Sequence, residues 1–156
     1  RVTLEHGADY TYPVSFLEEG ETAQGDPAAS VSVRFSNYKT GVFTYDADTG
    51  LYLVDEYGSP YVDGNTGEQV AVKNVLVLFT DVSAIQGDTA GRQSVRTTGS
   101  GSGLFFCDGT VQDITWSKDS HDSPLTYTAA DGTPLRLGVG TSYVNLIGSA
   151  SNVTVE

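Results

Sequence analysis

The sequence predicts an all-β fold, an antiparallel sandwich or open barrel built from short hairpins. Three observations predict it. The 156 residues include 18 Val, 18 Thr, 9 Tyr and 6 Phe, which suit a pleated, half-buried surface. Turn signals built on Gly and Asp recur about every 8–12 residues, the spacing of short strands. No stretch shows an amphipathic helical period with caps at its ends. A chain of this length buries roughly 68% of its unfolded surface, enough for a core without staples.

Taken in order, residues 1–30 read as an extended N-terminal segment or interdomain linker, and 31–156 as the all-β domain. Pro13 limits residues 10–17 to an edge strand or extended piece, and 18–29, acidic and rich in small residues, read as an exposed loop or interdomain linker. Val31, Val33 and Phe35 alternate with Ser32, Arg34 and Ser36, which means one buried and one wet face. Residues 42–45 and 51–54 flank a loop ending at Gly50, the pattern of a hairpin. Turns follow at 57–60 and 63–67. The unbroken apolar run 75–79 predicts a central strand covered on both faces. Residues 93–98 pair as a strand, and the run Gly99-Ser100-Gly101-Ser102-Gly103 reads as a turn or bulge. Asp108-Gly109 between apolar runs is the strongest hairpin signal, because both positions tolerate a type I′ turn. A third hairpin is expected around Asp131-Gly132, and 143–147 is the last strand.

Charge narrows the partners. Eight Lys+Arg against 20 Asp+Glu give a net charge of −12. That argues against nucleic acid, whose phosphates need a basic patch, and against anionic lipid heads. No apolar run approaches the ~18 residues of a membrane span, so no direct insertion is expected. A single Cys forbids an internal disulfide and leaves too few ligands for structural zinc. The chain lacks methionine and starts on Arg1, which reads as a fragment or processed product with any signal or lipidation segment upstream.

Several pieces recur in a familiar order: Tyr45-Asp46, Thr49-Gly50-Leu51-Tyr52, Asp63, Thr66-Gly67, Lys73-Asn74-Val75 and Gly91-Arg92. The order continues through the 99–103 glycines, Phe106, Asp108-Gly109, Thr115-Trp116-Ser117-Lys118, Pro124-Leu125, Asp131-Gly132, Leu135, Leu137 and Gly140-Thr141. This set resembles the C-terminal domain of the YerB-like bacterial lipoproteins, a family of unknown function. It departs at Tyr61, where the family pattern has His. The resemblance implies an N-terminal lipid anchor, a preceding α/β domain, residues 1–35 as the segment leaving that domain, and a place outside the cytoplasmic membrane. It carries over no catalytic residues.

Candidate chemistry is sparse. Asp46, Asp48 and Gly50 imitate the start of a calcium loop, but Gly50 and Tyr52 break the ligand spacing, so a hairpin turn is the expectation and no metal is assigned. Asp119, His121 and Asp122 with Ser117, Ser120 and Ser123 crowd one loop, whereas a triad converges from distant positions. His6, the other histidine, falls in the N-terminal segment. Cys107, beside Asp108, lacks the cation that would favour a thiolate and reads as a structural thiol. The glycine run lacks the Lys and following helix of a phosphate loop. Arg92, Arg96, Trp116 and Lys118 fall in adjoining strands or their ends. On one face they suit a carboxylate-bearing or sugar ligand; otherwise Trp116 is core and the cations solubilise strands. Together with Asp63 they form the candidate ligand-binding set, and no cofactor is expected. The reading is a noncatalytic module that binds an envelope protein or cell-wall glycan, or supports the upstream domain. The alternative is a share in an active site on that domain, acting on wall polymer through Asp63, Arg92 or Arg96.

Overall fold

The structure, a computed structural model, describes residues 12–156; His6 and Tyr10 lie outside the described residues. In chain order the strands are β1 (Ser15–Phe16), β2 (Asp26–Pro27), β3 (Ser30–Arg34), β4 (Thr40–Asp46), β5 (Leu51–Glu56), β6 (Ser59–Pro60), β7 (Ala71–Val72) and β8 (Asn74–Phe79). They continue with β9 (Val82–Ala84), β10 (Gln93–Val95), β11 (Gly99–Cys107), β12 (Thr110–Lys118), β13 (Thr126–Ala129), β14 (Arg136–Leu137), β15 (Ser142–Ile147) and β16 (Val153–Val155). One 3₁₀ turn, Ala150–Asn152, is the sole helical element among the described residues. The fold is all-β and sandwich-like, and neither sheet closes into a barrel.

Two sheets make the body. The first runs β13-β12-β11-β8-β15, with β2 on the far end of β12; the second runs β16-β3-β4-β5-β6, with β7 beside β5. The alternation in β3 does what its period requires: Val31 and Val33 are buried between the sheets with Phe43, Tyr52 and Val54. Strand β8 is central, as its unbroken apolar run predicts. Val75 and Val77 face the second sheet, while Leu76 and Leu78 join a separate core with Phe105, Ile114 and Trp116 on the opposite face. That second core is closed by chain rather than by a sheet, from Val14, Leu17 and Ala23 on one side and Leu125, Leu135 and Leu137 on the other.

Five features correct or extend the sequence reading. Residues 99–103 are not a turn or bulge but the first half of the nine-residue strand β11. Glycine serves close packing there: a Cβ on Gly101 would stand 2.6 Å from Phe79 O and 2.7 Å from Trp116 Nε1. The stretch 18–29 is tied down rather than exposed throughout. Ala28 is buried, β2 pairs with β12, and Ala28 N donates to Gly109 O at 2.8 Å. Strand β15 runs parallel to β8, which an antiparallel sandwich does not anticipate. The short final strand β16 crosses to the second sheet and pairs with β3. The Asp108-Gly109 turn is as expected, with φ of 53° and 74°. The third hairpin forms only in part, because β14 leaves β13 to pair with β1.

Candidate functional site

Trp116 organises the site. Its register partner on β11 is Gly101, and the missing side chain there lets the indole lie across the strand. Its Nε1–H donates to Phe79 O at 3.0 Å, and the residue is 2% exposed. Above the ring sits Arg96, its guanidinium carbon 5.6 Å from the centroid. Arg96 is held at the backbone by Asp81 O and Thr80 Oγ1, and its Nε meets Asp81 Oδ2 at 2.7 Å. On β12, two residues beyond Trp116, Lys118 donates from Nζ to the carbonyls of His121 and Ser123. Among the described residues no carboxylate lies within salt-bridge distance of Lys118.

Between these cations lies an apolar cavity of about 250 Å³, floored by Leu78 and Trp116 and walled by Leu125, Val144 and Leu146. Its size suits one or two side chains rather than a drug-sized cofactor, which takes about 300–1,000 Å³. The Arg96–Asp81 pair is exposed, with Asp81 at 83%, so water screens it and it exchanges partners at little cost. A carboxylate entering over the cavity meets two cations in a chain that is otherwise strongly acidic. A larger hollow of about 470 Å³ lies between residues 17–24 and 129–136, where Arg136 grips Glu21 at 2.6 and 3.0 Å. Arg136 and Glu21 satisfy each other there, and Asp131 accepts from the Thr133 N–H and hydroxyl.

The structure thus brings Arg96, Trp116 and Lys118 together and leaves Arg92 and Asp63 elsewhere. Arg92 folds onto Asp88 in the loop between β9 and β10, with Nη2 2.8 Å from Oδ1. That hydrogen bond raises the Arg92 pKa and lowers that of Asp88. Asp63 closes its own loop by accepting from the N–H groups of Thr66 and Asn65, and these hold its carboxyl below the usual range. Asp46 likewise spends its oxygens on the Asp48 N–H and Thr49 hydroxyl. No group of three or more metal-ligating side chains is gathered among the described residues. The 117–124 loop is closed by Ser120 and Ser123, whose hydroxyl oxygens are 2.8 Å apart.

A second cluster was not singled out by sequence reasoning. Lys73 Nζ forms an ion pair with Asp108 Oδ1 and donates to Gly50 O at 3.3 Å. Asp108 also accepts from Ala23 N at 3.0 Å, and the Tyr52 hydroxyl accepts from Gly109 N at 3.1 Å. Burial works against both charges, but the pairing outweighs it: Lys73 is raised and Asp108 lowered. Neighbouring Cys107 is pushed up to about 11 by burial and then by the Asp108 charge. At neutral pH the lysine is therefore protonated, the aspartate ionised and the thiol intact. The ion pair and its neighbouring hydrogen bonds clamp four segments together. The available signal lay in pieces that carry the resemblance: Gly50, Tyr52, Lys73, Asp108 and Gly109 are far apart in sequence and meet here.

A two-sheet β-sandwich module, with one apolar groove between paired cations, is the class that this geometry defines. Residues 31–144 match the family described as protein of unknown function (DUF3048), C-terminal domain, and the chain belongs to that family. Among solved structures it is similar to the crystal structure of YerB protein from Bacillus subtilis, at TM-score 0.72 and 22% identity, over 86% of this chain and 46% of that one. The likeness shows a shared fold, and the chain spans less than half the length of that protein. No curated protein matches it.

Proposed function

We propose that the chain is a noncatalytic recognition module of an extracytoplasmic lipoprotein, and that it binds a polypeptide. An apolar side chain of the ligand seats beside Trp116, and a neighbouring carboxylate lies between Arg96 and Lys118. The observation that carries this reading is the cavity of about 250 Å³ with an apolar lining and cations at its rim. A sugar ligand fits it less well, because Trp116 is 2% exposed and Arg96 covers its ring, leaving no open face for a pyranose. The noncatalytic part is supported by the unreactive forms in which Lys73, Cys107 and Asp108 are held. The envelope setting rests on the lipoprotein resemblance, with the anchor upstream of this chain.

Trp116 is the only tryptophan, so its emission reports on the groove directly. Titration with a synthetic peptide alternating Val, Thr and Asp is expected to change that emission saturably, and Lys118→Glu to weaken binding by about tenfold. Soluble cell-wall muropeptide is expected to leave the emission unchanged. Saturable binding of muropeptide without binding of the peptide, or turnover of muropeptide by the purified chain, would overturn the reading.

A further inference from the structure

Strand β15 is an outer strand of the first sheet, and its pairing with β8 is parallel. Two hydrogen bonds fix which of its backbone groups that sheet consumes. Asn74 N donates to Thr141 O at 3.1 Å, and Thr80 N donates to Ile147 O at 3.0 Å. In a parallel pair each strand engages one neighbour through alternate residues. Thr141, Tyr143, Asn145 and Ile147 therefore bond inward, and the N–H and C=O groups of Ser142, Val144 and Leu146 face away from the sheet. No described strand pairs with that edge.

Such edges are commonly blunted by charge, proline, a bulge or a covering segment. The sequence of β15, Ser-Tyr-Val-Asn-Leu-Ile, carries neither charge nor proline, its register with β8 is unbroken, and Val144 is 42% exposed. The same strand forms a wall of the groove, since Val144 and Leu146 line the cavity with Trp116, Arg96 and Lys118. Backbone donors and acceptors thus lie beside a side-chain pocket and two cations.

We propose that the polypeptide ligand docks as an added strand along β15, its main chain pairing with Ser142, Val144 and Leu146. Alternate side chains then reach the groove. This rests on the reading of the groove as a polypeptide site and adds the mode of binding. The occupant is an extended segment from another chain, alternating apolar and acidic residues. Its acidity follows from the charge pattern: in a molecule of −12 with eight Lys+Arg, two of those cations stand at this rim. The same net charge makes a second copy a poor occupant, because two copies repel.

The test uses the whole chain and three peptides: an extended Val/Thr/Asp repeat, the same peptide with Lys for Asp, and one with Pro at its centre. Amide hydrogen exchange, Trp116 emission and sedimentation are read together. The Asp peptide is expected to slow exchange at Ser142, Val144 and Leu146 by about tenfold or more. The Lys and Pro peptides are expected to have no such effect. Val144→Pro removes an outward-facing N–H and leaves the bonds to β8, so it should weaken the Asp peptide by about tenfold. The exchange data on the unaltered chain decide the matter if that variant misfolds. Peptide-dependent Trp116 emission with unchanged exchange at these amides would overturn strand addition and leave the groove reading standing. No response to the Asp peptide in emission or exchange would overturn both. Dimers protecting the same amides without peptide would overturn the proposed occupant in favour of a second copy.

Discussion

Asn145 sits on β15 with its side chain buried, donating from Nδ2 to Leu76 O at 3.2 Å. Among the described residues none donates to its Oδ1. A buried acceptor without a partner costs about 1–3 kcal/mol. Asn145→Val removes that oxygen, and Leu76 O keeps its ladder donor, so the variant is expected to gain about 1 kcal/mol in urea denaturation. Equal or lower stability would place an unseen donor at Oδ1. Gly101 makes the opposite case. A methyl group there meets a backbone oxygen at 2.6 Å and the indole nitrogen at 2.7 Å, and neither lies at the end of a flexible chain. Gly101→Ala should therefore cost about 1–3 kcal/mol by overpacking, and it should shift Trp116 emission even without ligand. Cys107 is 0% exposed with its pKa near 11, so it is expected to resist thiol reagents at neutral pH until the protein unfolds.

At the level of strands and turns, the Asp108-Gly109 hairpin is held by more than its dihedral angles. Lys73 and the N–H of Ala23 both grip the Asp108 carboxylate. Because its folded pKa is depressed, this carboxylate contributes stability that is present above the ordinary aspartate value of about 4 and is lost as pH falls through the folded value. Asp108→Ala should then cost about 1–3 kcal/mol at pH 7, and the gap to the unaltered chain should shrink as pH falls below the ordinary aspartate range. A gap independent of pH would assign the loss to packing instead. This turn was legible in the sequence because Asp-Gly between apolar runs has few other conformations, and β8 was legible because an unbroken apolar run fits a doubly covered strand. The glycines of β11 misled, since their turn propensity is local while their use here, room for Trp116 and Phe79 O, depends on strands distant in sequence. Short β1, β14 and β16 carry too few residues to show a period at all. Of the candidate set, the nearness of Arg96, Trp116 and Lys118 was legible because strand adjacency followed from the hairpins. Arg92 and Asp63 lie apart from that groove, each hydrogen-bonded within its own loop. The pairing of Lys73 with Asp108 was not legible because nothing local links them.

For the molecule as a whole, residues 14–28 behave as cover for a core. Leu17 N donates to Leu137 O at 2.9 Å, and Val14, Leu17 and Ala23 pack on the core that holds Cys107 and Phe105. A chain begun at residue 31 is expected to lose about 2–4 kcal/mol and to expose Cys107 to thiol reagents at neutral pH. Undiminished stability of that chain would show the cover to be dispensable. The net charge of −12 keeps the folded molecule soluble while opposing its compaction, so added salt should raise the melting temperature modestly. Finally, Ser30 and Glu156 exchange a pair of backbone hydrogen bonds, 2.9 and 3.0 Å long, at one end of the β3–β16 ladder. Tension pulling on these two positions peels the ladder open one rung at a time instead of shearing all rungs together. The fold is therefore mechanically soft along that line, and a modest tug would strip β16 and bare Val31 and Val33 before the rest of the sandwich yields.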